Sequence, residues 1–233
     1  MYDIVEFGEL ASTNNYVKEN SKVLKDKTII VATRQTNGRG RFDRQWISEE
    51  GGLYFTIFLK PEKTDFLINL TQLMSVAVCR ALNMFEVNAY IKWPNDVLVR
   101  GEKICGILSE AVITNDKIEG LALGAGINVS QKNLDNINAP AVSLKTLGVN
   151  AEKKDLLNKI LFEFFKFYDC VIQKGFIAIR EEYINLFPAF GSFVKVGAGE
   201  HAAGIIKDID AAGRLVLQDG KGIIRTVLTG EII

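Results

Sequence analysis

Hydrophobic and polar positions follow strand-like and helix-like periods through most of the chain. Apolar runs rich in β-branched and aromatic residues, some alternating with polar residues, predict strands at 2–7, 28–33, 53–59, 97–99, 104–108 and 121–129. Apolar residues three and four positions apart predict helices at 70–85, 156–175 and 176–187, preceded by a polar helix at 15–22. The apolar stripes of the long helices indicate core packing and not a ligand site.

The pattern changes after Pro188, which ends the last predicted helix. From Gly191 onward, short strands are separated by glycine and acidic turns, with strands predicted at 193–196, 204–209, 215–217 and 223–228. The sequence therefore predicts two domains, residues 1–188 and residues 189–233. The second of these is a small β-module.

The composition narrows the class of protein. Hydrophobic residues make up 48% of the 233 positions, and 28 basic side chains balance 28 acidic ones, so no net positive charge draws nucleic acid to the protein. No apolar run approaches the roughly 20 residues needed to span a bilayer, and the N-terminal segment lacks the regions of a signal peptide. We expect a cytoplasmic protein with neither membrane nor nucleic acid as a partner.

The three cysteines, Cys79, Cys105 and Cys170, are widely spaced and form no CxxC pair, and His201 is the one histidine. This set indicates neither a disulfide framework nor a zinc site. Each cysteine falls in an apolar helix or strand pattern, so each is predicted to be buried as a small hydrophobic residue. His201, in a glycine-rich turn, is predicted to be exposed and inert.

The stretch from Arg34 to Ser48 carries four arginines and a single acid. In its GRGR tetrapeptide, residues 38–41, the glycines let the backbone approach a ligand, and the arginines offer planar donors to carboxylate or phosphate. Trp46 offers a flat apolar face for a purine ring. The tetrapeptide alone is equally typical of a solvated basic loop or of an arginine-glycine contact with nucleic acid.

Other polar stretches lie at the ends of predicted strands. Ser12-Thr13-Asn14 can cap a helix, or can hold the polar head of a ligand. In KWPND, residues 92–96, Pro94 and the polar pair after it are typical of a turn, but a turn does not explain the tryptophan beside the lysine. Lys103 begins the second strand of a predicted hairpin and can point into a cleft. No dinucleotide fingerprint or Walker loop is present.

Four motifs occur in a fixed order: GRGR at 38–41, KWPND at 92–96, KICGIL at 103–108 and GAGINV at 124–129. With the STN and Gln35 positions ahead of them, the chain resembles the catalytic module of biotin protein ligases, also called biotin-[acetyl-CoA-carboxylase] ligases. The resemblance runs through most of the chain. It implies an α+β fold, in which a mixed β-sheet with packed helices, class II synthetase-like and of the biotin/lipoate ligase type, is followed by a small Src-homology-3-like β-barrel.

The resemblance also implies a two-step reaction. Biotin and ATP with Mg²⁺ give biotinyl-5'-AMP and pyrophosphate, and biotin then passes to a specific lysine of a biotin carboxyl carrier protein or of a carboxylase's biotin-acceptor domain. Bifunctional members carry a DNA-binding domain before the catalytic module. Because the first strand begins at Tyr2, we expect a monofunctional ligase. Many relatives dimerise through the sheet, so a homodimer is one option for this chain.

The site residues implied by the resemblance fall into three groups. The catalytic pair is Arg41 and Lys103. The biotin-binding residues are Ser12, Thr13, Asn14, Gln35, Gly38, Arg39, Gly40, Arg41, Lys103 and Gly106. The residues for ATP or the adenylate are Arg39, Arg41, Arg44, Trp46, Lys92, Asn95, Asp96, Lys103 and Asn128. The magnesium ligands are unknown, with Asp96 as their expected neighbourhood.

The adenylation reaction itself favours cationic residues such as Arg41 and Lys103, because joining a carboxylate to an α-phosphate brings two anions together. Fixed cations stabilise the charge that grows in the transition state. The acyl-adenylate is hydrolysed if water reaches it. We therefore expect the stretch from Arg34 to Ser48, called the arginine-rich loop below, to be mobile when empty and to close over its ligand.

Two other functions remain open from the sequence. Lipoate ligases and octanoyl transferases share the fold type, although the KWPND and GRGR pair favours biotin. A biotin- or nucleotide-binding regulator without turnover is expected to lack Lys103 or Arg41, and both residues are present. The C-terminal module either helps to bind ATP or the carrier protein, or stabilises the rest of the chain.

Overall fold

The computed structural model describes residues 2–131, 134 and 140–233, and its strands form two sheets. The larger sheet has seven strands in the order β1-β2-β3-β7-β6-β5-β4. Strands β1 and β2 are parallel and every other neighbouring pair is antiparallel. Its strands are β1 (Asp3–Leu10), β2 (Thr28–Gln35), β3 (Leu53–Leu59), β4 (Tyr90–Lys92), β5 (Asp96–Val99), β6 (Glu102–Thr114) and β7 (Lys117–Ile127).

Two long helices cover one face of this sheet. They are α2 (Leu67–Asn83) and α3 (Lys153–Lys174), and the short α4 (Arg180–Asn185) follows them. Alternate side chains of β3, such as Phe55 and Ile57, are fully buried in the core that these helices complete. Burial of so many large apolar side chains, at roughly 1.5 to 3 kcal/mol each, is the main source of stability for this layer.

The other face of the sheet is only partly covered. The short helix α1 (Thr13–Asn20) packs there through Val17, against Ile30, Phe58 and Ala122. Further along the same strands the side chains become small and polar: Thr56 and Gly124 occupy the positions where a covered sheet would carry apolar residues. This uncovered part of the face is where the cleft lies.

The second sheet has five antiparallel strands in the order β11-β10-β9-β8-β12. Its contacts with the rest of the chain include hydrogen bonds from helix α2, where Asn69 Nδ2 donates to Ala212 O at 2.9 Å and Gln72 Nε2 donates to Gly213 O at 2.7 Å. Its apolar residues join the main core. Its strands are β8 (Phe193–Gly197), β9 (Ala202–Ile209), β10 (Leu215–Gln218), β11 (Ile224–Val227) and β12 (Glu231–Ile232).

The predicted mixed sheet with packed helices and a separate C-terminal β-module is confirmed. The Src-homology-3-like barrel and the division at residue 188 stay predictions. The single helix predicted at 176–187 is wrong: a 3₁₀ turn at Gly175–Ala178 precedes α4. Strands β4 and β12 were not predicted, because two or three residues carry too little periodicity to stand out.

Burial of the cysteines follows the prediction at two positions of three. Cys79 and Cys105 are buried, and burial raises the pKa of both thiols. The prediction for Cys170 is wrong, because it is exposed. It lies two positions after the buried Tyr168, about 200° around helix α3, and so faces away from the core. His201 is exposed, as predicted. Among the described residues, no helix is both long and apolar enough to cross a membrane.

Candidate active site

The first turn of helix α1 forms one wall of a cleft on the uncovered sheet face. Ser12 is its extended N-cap residue, and the Ser12 side chain accepts from Asn15 N at 3.5 Å. Thr13 donates to Gln35 Oε1 through its backbone N at 2.8 Å and its hydroxyl at 3.1 Å. Gln35 Nε2 in turn donates to Ser48 Oγ at 2.9 Å. The end of strand β2 is thereby tied to the helix start and to the far end of the arginine-rich loop.

Asn14 is held from several sides. Its Nδ2 donates to Leu108 O at 3.1 Å and to Glu110 Oε2 at 2.8 Å, while its Oδ1 accepts from Thr56 Oγ1 at 2.6 Å. A Cβ added at Gly124 would lie 2.2 Å from the same Oδ1, so only glycine fits beneath it. Both amide hydrogens of Asn14 are donated within the protein, which makes it a residue that fixes the wall.

Glu110 joins the wall to the arginine-rich loop. Arg39 Nη2 donates to Asn15 Oδ1 at 2.7 Å and to both Glu110 carboxylate oxygens, at 2.9 and 3.1 Å. Lys18 Nζ lies 2.7 Å from Glu110 Oε1. Burial raises the pKa of Glu110, but the hydrogen bonds from Lys18 and Asn14 and the charges of Lys18 and Arg39 outweigh it, so the net shift is downward. The carboxylate is therefore charged and orients Arg39 across the cleft.

The next two arginines of the loop point to the C-terminal sheet. Arg41 donates to Asn95 Oδ1 at 3.1 Å, to Gly230 O at 2.9 Å and to Thr229 Oγ1 at 3.1 Å. Arg44 Nη1 lies 2.6 Å from Glu231 Oε2. Burial lowers the pKa of Arg41, with Arg44 adding to that shift and the charges of Glu231 and Asp96 opposing it.

Between these arginines, Phe42 and Asp43 have positive φ angles of 55° and 56°. Such angles are uncommon for residues other than glycine, and strained for a bulky residue such as phenylalanine. The chain reverses sharply at this point, which sends the flanking arginines toward different partners.

Lys103 enters the cleft from the start of strand β6. Its backbone is fixed on two sides, since its N donates to Pro140 O at 2.9 Å and its O accepts from Val142 N at 3.1 Å. The register between β5 and β6 shifts at this point, where Leu98 pairs with Lys103 and Val97 pairs with Cys105. Lys103 Nζ reaches 2.7 Å from Asp96 Oδ1 and lies 5.2 Å from the centre of the Trp46 ring.

Trp46 lies against a floor of glycines on strands β6 and β7. A Cβ added at Gly106 would lie 2.8 Å from Trp46 Cζ3, and one at Gly126 would lie 2.4 Å from Trp46 Nε1. The indole N–H is buried, and the described residues offer it no hydrogen-bond acceptor. A buried donor of this kind is costly unless a ligand or water accepts from it.

The asparagines of the site brace the backbone around it. Asn95 follows the cis Trp93–Pro94 peptide bond, and its Nδ2 donates to Ile107 O at 2.8 Å. Asn128 Nδ2 donates to Lys103 O at 3.3 Å. Trp93 itself is buried in the core, which gives the tryptophan of KWPND a packing role.

The cleft has a volume of about 650 Å³. It brings together all of the predicted site residues except two, Gly38 and Lys92. Gly38 lies behind the lining, where an added Cβ would be 2.4 Å from Ser48 Oγ. Lys92 ends strand β4 at the edge of the sheet. The residues brought together are Ser12, Thr13, Asn14, Gln35, Arg39, Gly40, Arg41, Arg44, Trp46, Asn95, Asp96, Lys103, Gly106 and Asn128.

The site also contains polar residues that were not predicted from the sequence, among them Thr56, Glu110 and Glu231. Thr56 lies within a fully buried strand, and Glu110 lies in a part of β6 without any motif. Glu231 is remote in sequence from the loop it contacts. Only Thr56 could have been found from the sequence, because it is a polar residue in an otherwise apolar strand.

No group of three or more His, Cys, Asp or Glu side chains that could hold a metal occurs in the described part of the chain. Asp96 is the carboxylate nearest to Lys103, and a single carboxylate is compatible with Mg²⁺ that arrives with nucleotide phosphates and keeps several waters. The prediction that Mg²⁺ binds near Asp96 stays a prediction.

A sheet face lined by cations, a tryptophan and a glycine floor suits a ligand that carries anionic groups and a flat ring. The family model described as Biotin/lipoate A/B protein ligase family matches residues 7–128, and that described as Biotin protein ligase C terminal domain matches residues 190–233. The chain belongs to the biotin/lipoate A/B protein ligase family.

Several curated relatives carry related names. Over 207 residues, 84% of this chain, it is 32% identical to the bifunctional ligase/repressor BirA of Bacillus spizizenii, but it spans only 63% of that protein's length. It is 30% identical over 219 residues to the biotin-[acetyl-CoA-carboxylase] ligase of Mycobacterium tuberculosis, covering 89% of this chain and 79% of that one.

Among solved structures, a biotin protein ligase from Aquifex aeolicus in complex with biotin and ATP superposes with a TM-score of 0.88 at 29% identity. The match covers 100% of this chain and 98% of the other. The described residues of both sheets therefore share the fold of that protein.

Proposed function

We propose that the chain is an ATP-dependent biotin protein ligase. It forms biotinyl-5'-AMP from biotin and ATP, and transfers biotin to a lysine of a biotin carboxyl carrier protein or a carboxylase's biotin-acceptor domain. One observation carries the proposal: Arg39, Arg41 and Lys103 converge on a single cleft whose other end is lined by the hydroxyl and amide groups of Thr13 and Gln35. The names of the relatives support the choice of biotin.

The helix α1 end of the cleft suits a small polar ring system. Ser12, Thr13 and Gln35 present donors and acceptors there, and Asn14 keeps them in place through its bonds to Glu110 and Thr56. Hydrogen bonds that are already oriented cost little entropy when a ligand binds. We assign this end to the ureido head of biotin, with the valeryl carboxylate extending over Gly106 toward Lys103.

The cationic centre of the cleft suits the reacting groups. Lys103 and Arg41 would bind the biotin carboxylate and the α-phosphate, and Arg39 would assist from the Glu110 side. The carboxylate oxygen attacks the α-phosphorus and pyrophosphate leaves, while the fixed cations stabilise the charge that develops between the two anions. In the second step the lysine amine displaces AMP. Mg²⁺, when bound with ATP, neutralises phosphate charge.

The remaining part of the cleft is assigned to the nucleotide. Trp46 would stack with the adenine or form the wall beside it, and its buried N–H would find an acceptor in the ligand. Arg44, Asn95, Asp96 and Asn128 line the same region. The roles predicted for Lys92 and Gly38 require them to act from outside the lining.

We extend the proposal to the domain organisation of the chain and to the cellular compartment of the reaction. Residues 1–188 would form the catalytic domain, and residues 189–233 an accessory domain that supplies Glu231 to the cleft. Exposed Cys170 and buried Cys79 and Cys105 are free thiols, as in proteins of a reducing compartment, which supports a cytoplasmic location. A homodimer and the absence of nucleic acid as a partner stay predictions.

The test is exchange of labelled pyrophosphate into ATP with biotin, with lipoate, and with neither acid. The expected result is exchange that requires biotin. Exchange with lipoate alone would assign the chain to the lipoate branch of its family, and no exchange with either acid would contradict an adenylating enzyme.

A further inference from the structure

A second cavity, of about 260 Å³, lies beside the cleft between the main sheet, helix α2 and the C-terminal sheet. The two cavities share the lining residues Arg41, Asn95, Ile107 and Leu108. The Arg41 guanidinium is part of the partition, since it is held between Asn95 Oδ1 at 3.1 Å and Gly230 O at 2.9 Å. The Arg41 side chain therefore forms part of the boundary between the two cavities.

We propose that this second cavity receives the lysine-bearing turn of the acceptor protein and leads its ε-amine to the acyl-adenylate. The proposal rests on the ligase function proposed above. Once biotin and AMP fill the cleft, the amine needs an approach that neither of them occupies, and the second cavity adjoins the cleft at Arg41. A turn of Arg41 toward the phosphate would release its contacts with Asn95 and Gly230 and open a passage between the two cavities.

The charge of the second cavity suits an amine nucleophile. Arg41 and Arg214 are the charged residues among its described lining, which contains no carboxylate, and Arg214 is paired with Asp210 at 2.7 Å. A cation beside the entering lysine lowers the pKa of its ammonium group, which favours the neutral amine. The nitrogen then bonds to the carbonyl carbon, the carbon–oxygen bond to phosphate breaks, AMP leaves with the electron pair, and one amine proton passes to solvent.

The rim of the second cavity offers apolar contacts. Ile68, in the first turn of helix α2, is 52% exposed, and Leu228, just after strand β11, is 54% exposed. They come from two different parts of the fold, helix α2 and the C-terminal sheet. Side chains that flank the acceptor lysine would bury these two residues, and this fits a short polypeptide turn better than it fits a small polar metabolite.

The test separates docking from adenylation. Ile68→Glu and Leu228→Glu each place a charge on the rim, and Ile118→Glu is the matched control, since Ile118 is 46% exposed on strand β7 and lines neither cavity. Three reactions are compared: biotin-dependent pyrophosphate exchange, release of biotin from the adenylate by hydroxylamine, and transfer to a purified biotin-acceptor domain of a bacterial acetyl-CoA carboxylase. Hydroxylamine is small and needs no docking surface.

In both rim variants, exchange and the hydroxylamine reaction are expected to stay within about twofold of the unaltered protein. The KM for the acceptor domain is expected to rise about tenfold or more, because a buried apolar contact is replaced by a charge. The control variant is expected to leave all three reactions unchanged.

Three outcomes would overturn the proposal. An unchanged acceptor KM in both rim variants would exclude docking at this cavity. Equal losses in exchange and transfer would assign the cavity to the adenylation site. If the unaltered protein showed no biotin-dependent exchange, the ligase function itself would fall and this proposal with it, a result distinguishable from the other two.

Discussion

Lys103 Nζ lies 2.7 Å from Asp96 Oδ1, so two opposite charges on adjacent strands meet inside the empty cleft. A phosphate or carboxylate ligand must compete with Asp96 for the lysine. The pair also holds the ammonium group 5.2 Å from the Trp46 ring centre, where a bound acid and nucleotide would meet. The position of the lysine is therefore set before a ligand binds.

Replacing Lys103 with alanine should lower biotin-dependent pyrophosphate exchange by about 100-fold or more, because a fixed cation at the reacting anions is lost. Circular dichroism and the free energy of unfolding should change little, since the side chain is partly exposed. Lys117→Ala, an exposed lysine on strand β7, is the control. A Lys103→Ala protein with unaltered exchange would remove this residue from the catalytic pair.

Arg41→Ala should also impair adenylate formation, by about 10- to 100-fold, since Arg41 is the loop arginine nearest to Asn95 and Asp96. The reaction is followed as exchange at saturating ATP and biotin. Arg225→Ala, an exposed arginine on strand β11, should have no effect and controls for the loss of a positive charge. Wild-type rates in the Arg41 variant would contradict its assigned role.

Gly124→Ala should weaken biotin binding, because the new methyl group would lie 2.2 Å from Asn14 Oδ1 and force Asn14 away from Glu110 and Thr56. We expect a rise of about tenfold in the KM for biotin and a loss of about 1 to 3 kcal/mol in the free energy of unfolding. Gly8→Ala, on exposed β1 with no atom within 4 Å of the added carbon, should be neutral or slightly stabilising. Equal behaviour of the two variants in calorimetry and kinetics would disprove the steric argument.

The arginine-rich loop should become resistant to trypsin when biotin and ATP are bound together. Arg41 and Arg44 are potential cleavage sites beside the exposed Phe42, and closure over the adenylate would remove them from the protease. The fragments can be identified by mass spectrometry, with lipoate in place of biotin as a control. Equal cleavage of the loop with and without ligands would contradict closure.

Glu110→Gln should lower the free energy of unfolding by about 1 to 2 kcal/mol at pH 7, since the charged hydrogen bonds to Lys18 and Arg39 are weakened. Because the pKa of Glu110 is lowered in the folded protein, its contribution is complete above the unfolded pKa of about 4.3 and is lost as the pH falls through the folded value. Urea unfolding at pH 7, 5 and 3.5 should therefore show a gap between the two proteins that narrows in acid. A gap that widened in acid would mean that another group controls it.

The elements with strong periodicity were predictable from the sequence. Strand β3 was predicted with its observed bounds, and helix α3 was predicted to end where Gly175 does end it, at a φ of 66°. The single helix predicted at 176–187 failed, because apolar residues at helical spacing do not reveal that a 3₁₀ turn interrupts them. The prediction that Cys170 is buried was wrong for a similar reason: apolar neighbours in the sequence do not determine which side of a helix a residue occupies.

The local motifs of the site were also predictable, but the acidic residues that hold their side chains in place were not. Arg39, Arg41 and Lys103 carried recognisable chemistry within short stretches. Glu110 binds Arg39 and Glu231 binds Arg44 from distant parts of the chain, and only the three-dimensional pairing of strands and the packing of two sheets brings them together. The second cavity depends on the same packing and leaves no trace in any one stretch of sequence.

The glycine floor limits how the ligand specificity of this protein can diverge. Gly106, Gly124 and Gly126 have no side chains to vary, and any larger residue would displace Asn14, Trp46 or Lys103. A laboratory library aimed at biotin analogues would therefore gain little from randomising these strands. The variable positions for such a library lie instead on the surrounding walls, at lining residues that have no role assigned in catalysis or nucleotide binding.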